Sequence, residues 1–324
     1  MPLDDTIEQA HSQYPLVRVI TMGQFSLERL VPAPSPTLQQ PQYTQIARGE
    51  WSSRGPATIL LKVLLCRVNR RATKDELIEA IWPDNGLENA GHALDSAASV
   101  LRRHVLRTHA GESLLYTIRG GGGETTFRLA GQQRLWVDAD ALLTLAARAM
   151  RAESQGQDPF PLLEEAHALA SGDFLADDLY CDWVQGRRRT INGARHRVLY
   201  KLVDLYLKEN RTSQAEELLF TFLEQDPTNE DALCRLMVLL AEQERPQEAL
   251  QLYQCAAYAL HEEKTEPTAY TRELAERLRR GLVVREQKSS YRAKNIMTAH
   301  PAASFLLGSP PSEFIYALEL QILQ

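Results

Sequence analysis

With 324 residues, 44% of them apolar, the chain is long enough to bury two cores. Its formal net charge of −6 excludes indiscriminate polyanion binding, but residues 16–135 carry 15 Lys/Arg against 10 Asp/Glu while residues 136–324 carry 21 against 29. A mildly basic front therefore precedes an acidic back, the balance of a nucleic-acid-reading module joined to a protein-interaction module.

Residues 1–15 are expected to be a flexible N-terminus. Asp4, Asp5 and Glu8 interrupt any apolar leader there. Leu16 to Val31 reads as two short strands turning at Gly23-Gln24. Pro32, Pro34, Pro36 and Pro41 then make residues 32–50 a loop or insertion. A helix is predicted from about Ala57 to Val68, with Leu61, Leu64, Leu65 and Val68 on one face. Thr73 and Glu76 form a T-x-x-E capping box that opens a second helix, which runs through Trp82 and ends at Pro83.

A third helix is predicted from about Asn89 to Arg107. It is followed by a hairpin whose arms, Leu114–Arg119 and Thr125–Leu129, flank the four glycines Gly120 to Gly123. Strands, three helices and a terminal hairpin in that order describe a winged helix.

From Val137 onward the pattern is helical. Helices are predicted near Ala139–Glu153, Pro161–Ala170, Cys181–Glu209, Gln214–Gln225, Glu230–Gln243, Gln247–Glu262 and Ala269–Val284. Leu202, Leu205, Ala215 and Leu218 recur as Leu236, Leu239, Ala249 and Leu252, a period of 34 residues. Helical hairpins of the tetratricopeptide (TPR) kind have this period; each is too small to bury its apolar face alone and must stack on a neighbour. Trp183, Tyr200, Tyr206 and Tyr253 either fill the core of such an array or line its concave surface, where an unidentified effector would sit. The fold expected is mainly α: a winged helix-turn-helix (α+β) over 16–135, then an all-α TPR-like domain over 136–284, then a tail over 285–324 whose role the sequence does not disclose.

Wound at about 100° per residue, the third helix puts Leu94, Ala97, Ala98, Leu101 and Val105 on one side and His92, Ser96, Ser99 and Arg103 on the other. Short polar side chains with one guanidinium suit a helix entering a major groove, because they permit close approach while arginine pairs with guanine or grips a phosphate. Asp95 and Arg102 flank that stripe; the aspartate is able to accept from a cytosine amino group. Arg119 and Arg128 bracket the glycine turn where a wing would meet DNA, and Arg70 and Arg71 stand between helices within reach of phosphates. The competing reading of each is an ordinary solvated charge.

Several of these residues resemble a known family. Thr117-Ile118-Arg119-Gly120 and Phe127-Arg128-Leu129 resemble the wing of the OmpR/PhoB-type winged helix, and Leu101-Arg102-Arg103 resembles the close of its recognition helix. Gly172-Asp173-Phe174-Leu175, Trp183, Arg187, Asp226-Pro227, Glu230, Met237, Glu248-Ala249-Leu250 and Tyr253 resemble the bacterial transcriptional activator domain. Joined in this order, the two are similar to regulators of the SARP type. The resemblance implies transcriptional activation, side-by-side homodimers on direct repeats of double-stranded DNA, and RNA polymerase contacts through the loop from Pro83 to Glu88.

Other chemistry finds little support. Gly120 to Gly123 lacks the Gly-Lys-Ser/Thr end of a phosphate loop. His104 and His109 have no third ligand nearby, and Asp173, Asp177, Asp178 and Asp182 fit no calcium-loop spacing. No catalytic residue, metal or cofactor is expected. The four cysteines, Cys66, Cys181, Cys234 and Cys255, form no CxxC pair, as expected of idle thiols in a reducing compartment. The most apolar run, Ile59 to Cys66, is too short to span a bilayer, so a soluble cytoplasmic protein with no membrane partner is expected. The rival reading is a TPR-like interaction scaffold whose winged helix does not bind DNA.

Overall fold

The computed structural model describes residues 14–31, 41–47, 55–83, 87–108, 111–120 and 123–281. Expectations for residues 1–13, for the tail beyond 281 and for most of the Pro-rich segment and the Pro83–Glu88 loop lie outside them. The chain forms two compact units, the first ending at His196 and the second beginning at Arg197.

In the first unit, β1 (Val17–Ile20) and β2 (Ser26–Leu30) pair antiparallel on either side of Gly23, whose φ of 82° is the left-handed geometry that makes glycine suitable for this turn. Two partners were not anticipated. β3 (Tyr43–Gln45) pairs with β2 inside the segment expected to be loop, and β7 (Leu135–Val137) runs parallel to β1, giving a sheet of order β3-β2-β1-β7. Val17, Val19 and Leu27 turn to the buried side and are fully enclosed, as period-2 alternation requires.

Helix α1 (Pro56–Cys66) ends two residues before the predicted Val68, because Asn69 and Arg70 take left-handed backbone angles (φ 53° and 51°). Val68 is accordingly 63% exposed. A further unanticipated strand, β4 (Arg71–Thr73), leads into α2 (Lys74–Ile81), which opens on the expected capping box. The Glu76 amide donates to Thr73 Oγ1 at 3.2 Å, and the Thr73 amide donates to the Glu76 carboxylate at 2.7 Å. α3 (Leu87–Val100) continues through a wider turn over Leu101–Val105, closed by a bond from the Leu106 amide to the Leu101 carbonyl at 2.7 Å. β5 (Leu115–Arg119) and β6 (Thr125–Leu129) form the predicted hairpin, and β4 completes a sheet of order β4-β6-β5. Leu60, Leu61, Leu64, Leu77, Leu94, Leu101 and Phe127 fill the core between these helices and this sheet. Burying a side chain of this size is worth about 1.5–3 kcal/mol.

The same unit takes in α4 (Asp138–Ser154), α5 (Phe160–Leu169) and the first part of α6 (Asp182–Lys208). Polar contacts weld these helices to the sheet and the winged helix. Asp138, 3% exposed, accepts from the backbone amides of Thr21, Met22 and Ala139 at 2.7–2.9 Å. Lys62, 4% exposed, pairs with Asp178 at 2.5 Å. The guanidinium of Arg188 donates to the carbonyls of Phe174, Leu175 and Leu179. Gly172-Asp173-Phe174-Leu175 thereby docks on the Gly23 turn: the Gly23 amide donates to the Asp173 carbonyl at 2.9 Å and the Leu175 amide to the Thr21 carbonyl at 2.8 Å.

The second unit contains the remainder of α6, α7 (Thr212–Gln225), α8 (Glu230–Glu242), α9 (Pro246–Glu262) and α10 (Ala269–Arg279). Through α9 these bounds lie within a few residues of those predicted; α10 ends at Arg279, short of the predicted Val284, and residues 282–284 lie outside the described ones. The 34-residue period is physical here. Asn210 and Glu244 both take left-handed angles at the ends of their helices, and the following amides, of Arg211 and Arg245, donate five residues back to Tyr206 and Leu240 at 2.8 Å each. Leu236, Met237, Ala215, Leu219 and Ala249 occupy the shared core. Tyr200, Tyr206 and Tyr253 pack against that core, the first donating its hydroxyl to the Asn229 side chain at 2.9 Å, so these aromatics serve packing.

Candidate nucleic-acid interface

The third helix divides as its periodicity requires. Leu94, Ala97, Ala98, Leu101 and Val105 are each at most 4% exposed. His92, Asp95, Ser96 and Arg103 are exposed, and Ser99 is half-buried. The apolar stripe packs against α1 and α2, so the polar stripe is turned outward. Asp95 is paired with Lys74 of α2 at 2.8 Å, and the Lys74 chain passes along Gly91, where an added β-carbon would stand 3.6 Å from Lys74 Cε. Lys74 is a cation beside the outward stripe that sequence reasoning passed over, because only the packing of α2 on α3 brings it there.

Strand register sorts the wing residues. Thr117 lies opposite Phe127, which lies opposite Ala72; Tyr116 lies opposite Arg128, which lies opposite Arg71. Alternation puts these two rows on opposite faces of the sheet, with Arg119 on the same face as Thr117. The guanidinium of Arg102 meets the Thr117 face, donating to Thr117 Oγ1 and to the Leu115 carbonyl at 3.4 Å. Arg119 therefore stands on the sheet face that meets the end of the third helix, while Arg71 and Arg128 form a cross-strand pair on the reverse face. All three are exposed. Two like charges directly opposite are mildly unfavourable unless an anion lies near.

Arg70 is corrected. It is 7% exposed, and its guanidinium donates to the carbonyls of Ala130 and Leu135 at 3.0 and 2.7 Å, to the Gln132 side chain and to Asp140, where its Nε stands 2.9 Å from the carboxylate. Arg187 of α6 donates to the other Asp140 oxygen. Every nitrogen of Arg70 is thus spent inside the fold, and none is left for a phosphate. Arg102 also departs from a free contact, being held by the wing. A further residue not anticipated is Arg29 of β2, which donates to the His104 carbonyl at 2.6 Å and so caps the end of the third helix.

Among the described residues no cluster of His, Cys, Asp or Glu is suited to a metal ion, and no helix is long and apolar enough to cross a membrane.

Residues 137–279 match the bacterial transcriptional activator domain. The chain is also similar to Mycobacterium tuberculosis EmbR, solved in complex with a low affinity phosphopeptide, with a TM-score of 0.59 and 17% identity over 83% of this chain and 66% of that one. At that identity the likeness is one of fold. No curated protein matches the chain. Residues 137–279 are thus similar to a bacterial transcriptional activator domain, and the likeness of the chain to EmbR is confined to fold.

Proposed function

We propose that this chain is a sequence-specific, DNA-binding transcriptional activator that docks the outward stripe of α3 in a major groove of double-stranded DNA and its glycine-tipped hairpin on the neighbouring groove or backbone. In this reading the functional division falls at 135/136. The winged helix sets position on promoter direct repeats, and the TPR-like helices serve homodimerisation on DNA and contacts to RNA polymerase or to an effector. It works in the cytoplasm and catalyses nothing. The observation that carries the reading is the pairing of an exposed, small and polar helix face (His92, Ser96, Arg103) with an exposed hairpin whose Arg119 lies on the side of that helix. Lys74 adds a cation beside that face, whereas Arg71 and Arg128 stand on the reverse face of the sheet.

Gel-shift titration of the full chain against promoter fragments at several salt concentrations tests this. If about four cationic side chains meet phosphates, the log–log salt slope is about −3 to −4. A lack of retardation at low salt would instead favour a scaffold that works through protein contacts alone.

A further inference from the structure

Arg102 and Arg103 are neighbours in the sequence and look interchangeable as DNA contacts, but they do different things. The helix that carries them widens over Leu101–Val105, where the amide of Leu106 reaches back five residues to the carbonyl of Leu101. Such a turn holds more residues than an ordinary one and so rotates the side chains it carries; single wide turns of this kind cluster at functional sites. Arg29 secures it from outside at the His104 carbonyl. Within it Arg103 is exposed. Arg102 is swung sideways onto β5, with its guanidinium carbon 5.8 Å from the centre of the Phe127 ring.

The place where Arg102 lands matters. Among the described residues β5 is an edge strand, paired with β6 alone, and on the far side of the hairpin tip Gly123 takes φ 89°. Gly120 and Gly123, which flank the tip, supply no side chain to anchor the hairpin. Arg102 meets the outer side of β5 at the Leu115 carbonyl and at the Thr117 hydroxyl, two residues before Arg119 on the same face. Burial pushes the Arg102 pKa down and Asp95 draws it back up.

We propose that Arg102 is a positioning residue: from the wide turn it latches the third helix to Thr117 of β5, and so fixes where Arg119 of the wing stands relative to Arg103 of the helix. Its importance for DNA binding rests on the function proposed above; the latch itself does not. Arg102 acts on DNA through the wing, and Thr117, which carries no charge, is as necessary as Arg102.

Hydrogen exchange on the DNA-free full chain reads the latch directly. Arg102→Ala and Thr117→Val should each speed exchange of the amides in 116–119 and 124–126 by about fivefold or more, while the α1 core amides keep their protection. DNA titration then reads its consequence. The two variants should weaken binding to a similar extent, the double variant should be little worse than either single one, and adding Arg119→Ala to Arg102→Ala should cost much less than Arg119→Ala costs alone, because residues acting through one contact are not additive. Normal exchange in both variants overturns the latch whether or not DNA is bound. Weaker DNA binding in Arg102→Ala with Thr117→Val unchanged overturns it in favour of a direct phosphate contact, which would also lower the salt slope by about one. Faster wing exchange in a protein that binds no DNA supports the latch and removes the DNA reading.

Discussion

Gly172 lies so close to the turn at Gly23 that a β-carbon added to it would stand 2.8 Å from Gly23 Cα and 3.0 Å from its nitrogen. The neighbours are backbone and cannot rotate away. This approach lets the Gly172–Leu175 segment bond to the β1–β2 turn, which puts the start of the activator-domain match and the winged helix in one compact unit. Gly172→Ala should therefore cost about 1–3 kcal/mol of stability through overpacking. Thermal or urea unfolding measures it; a neutral substitution would mean that the segment does not lie on the turn.

The buried guanidinium of Arg70 is the second structural test. It joins the left-handed turn before β4 to Asp140 of α4, so removing it leaves Asp140 with Arg187 alone and the carbonyls of Ala130 and Leu135 without their donor. Arg70→Met should lower stability by about 3 kcal/mol. A variant that keeps wild-type stability but loses DNA affinity would restore Arg70 to the role of a phosphate contact.

Arg103 and Leu101 probe the two sides of one helix. Arg103→Ala should weaken DNA binding by about 1–3 kcal/mol with folding intact if it reads a base, and unchanged affinity would move the reading face elsewhere. Leu101 is 1% exposed, so Leu101→Asp buries an unpaired charge and should abolish cooperative folding. A cooperative, stable Leu101→Asp variant contradicts the helix orientation.

Thiol labelling checks the packing at the end of α1. Burial pushes the Cys66 thiol up to about 12 against the pull of Arg187 and Arg67, so at pH 8 only about one part in ten thousand is thiolate. Cys255 is exposed and Cys234 buried. Reaction at Cys255 should come first by a wide margin, with Cys234 and Cys66 modified on unfolding. Equal rates at Cys66 and Cys255 would show that the helix end is open.

Patterns with a local cause were legible in the chain. The capping box at Thr73, the turn at Gly23, most helix bounds and the inward leucines of α3 each follow from a few adjacent residues, and the 34-residue period reappears as equal backbone bonds at Arg211 and Arg245. Features that depend on distant partners were not legible. β3 and β7 are three residues each, too short to announce themselves, and exist because β2 and β1 offer free edges. Arg70 reads as a surface charge until the fold brings Asp140, seventy positions away, against it. Arg102 and Arg103 are alike until the wide turn separates them.

By itself the sequence determined which segments become helices, which side of each is apolar, and that small polar residues share the outer stripe of the third helix with one arginine, because periodicity and capping act within a few turns of chain. Tertiary structure alone decided which arginines are free. A guanidinium is drawn into the fold wherever carbonyls and a carboxylate converge on it in space, and that convergence depends on strand pairing and helix packing between residues far apart in the sequence.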